Sequence, residues 1–79
     1  MCDEARALAM VMAAGIMLDL SLAHEFSEAA VRFETDGAIA TADVLRARAR
    51  HHRVKALELQ SRLTALAEDF GLSGADLPP

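Results

Sequence analysis

Apolar residues recur at helical spacing in two long tracts of this chain, with a short polar break between them. In the second tract, Leu45, Ala49, His52, Ala56, Leu59, Leu63, Leu66 and Phe70 fall on one stripe of a wheel turning 100° per residue. The first tract has two such stripes. Leu8, Met12, Leu22, Phe26, Ala29, Ala30 and Phe33 form a main face, and Met10, Ala13, Met17, Leu20 and Val31 form a second on nearly the opposite side.

Local signals set the ends of these tracts. Asp3 is placed to cap a helix over about 3–35, and Gly37 can take the left-handed conformation that ends it. After a turn over 36–41, Thr41 is placed to cap a second helix over about 41–70, with Gly71 and Leu72 fitting a Schellman ending and 73–79 reading as a flexible tail. The expectation is a single all-α domain over 1–72, two long antiparallel helices forming a helical hairpin. At 1.5 Å per residue each helix is about 45 to 50 Å long.

A hairpin buries one face of each helix, so the second stripe of helix one needs another chain. The simplest closed solution is a twofold homodimer forming a four-helix bundle, with Met10, Ala13, Ala14, Met17, Leu20 and Val31 as the oligomer interface. The small run Ala13, Ala14 and Gly15 reads as a place for close approach.

Composition narrows the setting. A chain of 79 residues is one domain at most, and at that size one core gives marginal stability without a staple or a partner. The lone Cys2 cannot pair within the chain, which suits a reducing, cytoplasmic location. Residues 7–18 (ALAMVMAAGIML) are uncharged, but Asp3 and Glu4 precede them where a secretory signal wants positive charge, and twelve residues do not span a bilayer. No membrane partner is therefore expected.

The most charged stretch, RARARHHRVK (46–55), holds five cations and two histidines with no acidic residue. With the net charge at -4, phosphate-driven affinity would need these cations on one strip, and nucleic acid is disfavoured because they divide by helix angle. Residues facing one another across the hairpin sum to roughly 77, which brings Arg46, Arg50 and Arg53 near Glu25, Glu28 and Glu34. A salt-bridged flank accounts for the block.

His24, Glu25, His51 and His52 are candidate metal ligands because the register puts them at one level. The Glu-x-x-His spacing of ferritin-like carboxylate bundles is absent, since Arg48 and Ala49 stand three before the paired histidines. His52 on the apolar stripe reads as a buried polar residue bonded to Asp19, Glu25 or water, and Asp19 as a register-setting carboxylate that meets a cation. "AHEF" (23–26) resembles the start of a histidine-kinase H-box, and "HRVKA" (52–56) is similar to the His-x-x-Lys pattern of phosphotransfer domains. The Thr-Pro that follows in an H-box is Ser27-Glu28 here, and His52 faces the packing stripe, so neither resemblance carries a role.

No nucleophile with a base, glycine-rich phosphate loop or acid pair stands out, so no enzyme, catalytic residue or cofactor is expected. The sequence reads as a homo-oligomeric module whose partners are itself and another protein, an adaptor or structural element. A metal-binding bundle is the alternative, with a nucleic-acid-binding or phosphotransfer-like regulator further behind.

Overall fold

The computed structural model describes residues 3–71, and among these the chain is an all-α helical hairpin. Helix α1 spans Asp3–Thr35 and helix α2 spans Ile39–Asp69. They lie side by side in a rod of 54 × 16 × 16 Å. Cys2, Leu72 and the tail over 73–79 fall outside the described residues.

The reversal is tighter than the sequence suggests. Gly37, at φ 86, lets α1 end in a Schellman motif in which the Ala38 amide bonds the Phe33 carbonyl (2.8 Å) and the Gly37 amide bonds the Glu34 carbonyl (3.0 Å). Ala38 is at the same time the N-cap of α2, its carbonyl accepting from the Ala42 amide at 3.0 Å. Thr41 therefore does not cap. The helix starts two residues earlier, at Ile39, with no side-chain hydrogen bond at its cap, because the residue that closes one helix opens the next. Asp3 lies inside the first turn of α1, where its charge and that of Glu4 complement the helix dipole. At the C-terminus of α2 the Phe70 amide bonds the Leu66 carbonyl at 3.1 Å and Gly71 takes the left-handed conformation at φ 64; the Schellman contact expected of Leu72 lies outside the described residues.

Alanines in columns of seven, with Ile16 among them, line the seam. Ala9, Ile16, Ala23 and Ala30 on α1 meet Ala42, Ala49 and Ala56 on α2, and all are buried. A strict seven-residue repeat holds the seam facing its partner through a left-handed supercoil. Around it, Met12, Leu22, Phe26, Leu45, Leu59, Leu63 and Leu66 are half-buried, and no large side chain is fully enclosed. Leu8 and Phe33, expected on the main face of helix one, are exposed, and Ala5, Ala9, Ile16 and Ala23 take that inward role. Gly15 serves this seam too: a Cβ there would come within 3.1 Å of Leu59 Cδ1. Its small size is used inside the hairpin.

Replacing Gly37 with Ala forces a Cβ into the left-handed region and is expected to lower stability by about 1 kcal/mol, read by urea unfolding followed by circular dichroism.

Candidate functional site

Midway along the rod, Asp19 projects from α1 into the seam and is 5% exposed. The seven-residue column that runs Ala5, Met12, Asp19, Phe26 leads it there, so a carboxylate occupies a packing position. His52 occupies the matching column of α2. Its Nδ1 lies 2.7 Å from Asp19 Oδ1, and since an ionised carboxylate only accepts, Nδ1 carries the proton and donates. Lys55, one turn on, brings Nζ to 3.6 Å of the same oxygen. The Phe26 ring stacks on His52 with centroids 5.7 Å apart and planes 10° off parallel, and His51 meets it edge-on at 5.3 Å.

The electrostatics follow from those contacts. The hydrogen bond from His52 holds the Asp19 carboxyl below its usual value of 3.8; burial opposes this, and the charges of Lys55 and His52 add to it. Among the described residues no buried side-chain nitrogen or oxygen lacks a partner, so the pair is satisfied as it stands.

The other candidate ligands are spread out. His24 pairs with Glu28 through Nε2 at 3.2 Å, with both side chains well exposed. Glu25 lines the opposite flank with Phe26, Glu28, Ala29, Arg32 and Leu45. His51 is exposed and touches His52 only by its edge. Among the described residues no three His, Cys, Asp or Glu side chains converge as a metal-ligand group.

The basic block is divided by the helix. Arg46 bonds Glu34 and, at 3.0 Å, Asp43; Arg53 donates to Ser27 Oγ at 2.7 Å. With Arg50, Val31 and Ala49 these residues line a shallow groove near the turn. Lys55 turns to Asp19 on another side.

No known protein family, curated protein or solved structure matches this chain. The site must be judged on its own geometry. Of the six residues expected at an oligomer interface, Met10 (57%), Met17 (61%), Leu20 and Val31 (60%) are exposed, Ala14 is exposed and Ala13 is half-buried by the seam. Sequence reasoning passed over Val11, Leu18 and Leu57, all exposed as well. The signal was present: from Ala7 to Leu18 the helix is apolar around its whole circumference, which a single buried face does not use. By length and composition α1 is also apolar enough to cross a membrane, a property shared by core helices of soluble proteins and by signal sequences.

The Asp19 shift fixes the sign of a pH effect. A depressed carboxyl contributes stability that is complete above the unfolded value of 3.8 and is lost as pH falls through the lower folded value. Denaturant midpoints of the natural chain should fall in acid below that value, and those of Asp19→Asn should change less over the same range while starting lower at neutral pH.

Proposed function

We propose that this protein is a self-associating helical hairpin that works as a protein-protein interaction or structural module in an aqueous, cytoplasmic setting, without catalysis. One observation carries the reading: Met10, Met17, Leu20 and Val31 stand exposed along a single flank of a hairpin whose own seam buries one large apolar side chain, Ile16, among the described residues. An apolar flank of this kind on a domain this small, interrupted by His24 between Leu20 and Val31, is a binding surface, and covering it supplies the burial that the alanine seam does not. Methionines suit it, since their flexible thioether chains adapt to a facing surface.

A bilayer would cover the same residues, and Asp19 argues against it. The carboxylate sits within the apolar stretch of α1 and is held by His52 and Lys55 of α2, so inserting α1 alone would leave a charge in hydrocarbon without its partners. The metal-binding alternative needs ligands that converge, whereas His24 is occupied by Glu28 on the outside of the rod.

Native mass spectrometry of the untagged chain under reducing conditions tests the reading. The expected result is a dimer at bare chain mass, with Met17→Glu raising the dissociation constant by about a hundredfold or more because a charge would be buried unpaired. His24→Ala combined with His51→Ala should leave the dimer intact; His52 is spared because it holds Asp19. A chain that stays monomeric and sediments with lipid vesicles, or a dimer that carries metal mass and loses it in the double histidine variant, would overturn the proposal.

A further inference from the structure

The flank that carries the exposed methionines is polar in a second sense, along its length. Val31 and Arg46, Arg50 and Arg53 line one groove near the turn, which fixes them on the same side of the rod. The seven-residue repeat extends that side. Stepping back from Val31 gives His24, Met17, Met10 and Asp3 on α1, and stepping on from Arg50 gives Leu57 and Thr64 on α2. From the open end to the turn this side presents an acidic residue, an apolar middle and a basic notch.

We propose that the occupant of this side is a second copy of the chain packed head to tail, with the open end of one hairpin against the turn end of the other. The arrangement rests on the self-association proposed above. The apolar middle runs from Met10 to Leu20 and is centred at residue 15. A twofold axis crossing the rod at that level lays α1 on its own copy in reverse, so Met10 meets Leu20 of the other chain and the methionines cover one another. The contacts Asp19 to Lys55 and Phe26 to His52, whose residue numbers sum to 74 and 78, put Arg50 level with residues 24 to 28 of α1. The same axis therefore delivers Arg50 to the partner's open end, where Asp3, Glu4, Glu68 and Asp69 gather.

Charge selects this orientation over the parallel one. The open half of the described rod, residues 3–19 and 55–71, holds six acidic and three basic residues, whereas the turn half, 20–54, holds five of each. Packing in parallel stacks two net-negative halves; packing head to tail sets each against a neutral half whose contacting edge is basic. Among the described residues Arg50 has no ion pair or hydrogen bond, which leaves it available. The axis at residue 15 overlaps residues 3–27 of α1, about 36 Å at 1.5 Å per residue, and over the 16 Å width of the rod this gives roughly 580 Å² per partner, the scale of a weak dimer.

The two orientations place different helices in contact, α1 on α1 head to tail and α1 on α2 in parallel. In a Cys2→Ser background, single variants Met10→Cys, Leu20→Cys and Thr64→Cys would be mixed in pairs, allowed to exchange, and joined with a short bismaleimide. Head-to-tail packing gives several-fold more linked dimer from Met10→Cys with Leu20→Cys than from either alone or from Met10→Cys with Thr64→Cys. A predominance of the Met10 and Thr64 pair would overturn the orientation while leaving self-association standing. Absence of any dimer in native mass spectra of the Cys2→Ser chain would instead defeat the underlying reading and this one with it. Arg50→Glu should raise the dissociation constant about tenfold at low salt and less at high salt, and an unchanged value would count against the proposed contact.

Discussion

The seam of alanines at intervals of seven is the constraint on which the rest of the structure depends. Ala9, Ala23 and Ala30 facing Ala42, Ala49 and Ala56 leave the helices no bulk to hold them apart, so the backbones come close and Gly15 is needed to admit Leu59. Close helices maximise dispersion contact per residue and minimise apolar area removed from water. The larger residues are then displaced outward, half-buried at the edges of the seam or exposed on its flanks. A hairpin built this way is held together by fit and register more than by burial.

Register is where Asp19 and His52 matter. A seam of small residues repeating every seven positions is nearly indifferent to a slip of one heptad, since alanine replaces alanine. The polar pair breaks that degeneracy. A slip of seven residues would leave Asp19 facing Leu45 or Leu59 in place of His52, so the buried carboxylate would lose its hydrogen-bond donor even though Arg48 or Arg62 would stand where Lys55 does. Phe26 stacked on His52 completes a contact that a slipped alignment lacks, since Leu45 or Leu59 would stand in the place of His52.

Much of this was readable from the sequence. Two helices, the glycine that ends the first and the antiparallel pairing follow from periodicity and from Gly37. The inward face of α1 did not, for a geometric reason. A wheel at 100° per residue drifts about 20° per heptad against a supercoiled seam, roughly 90° over the length of α1. Choosing the largest residues as core then selected Leu8 and Phe33, which are exposed, and passed over Ala5 and Ala9. Thr41 misled because capping preference describes an isolated helix start, and here the Schellman motif of α1 had already set the start of α2 at Ala38. The partner of His52 was within reach because the place of Asp19 on the apolar face put it among three alternatives; the register sum of 77 pointed to Glu25, which instead lines a flank with Glu28 and Arg32.

The run of five cations and two histidines also resolves once the helix divides it. Arg46 serves the turn by holding Glu34 and Asp43, Arg53 reaches Ser27, and His52 donates to Asp19 in the seam with the Lys55 charge beside it. Because a helix distributes neighbours around its axis, a dense charge run in sequence becomes several separate contacts in space. The exposed pairs contribute little stability individually. Their effect is on alignment, because each joins α2 to a different level of α1, and together with Asp19 they hold in one register a seam that the alanines alone would allow to slide.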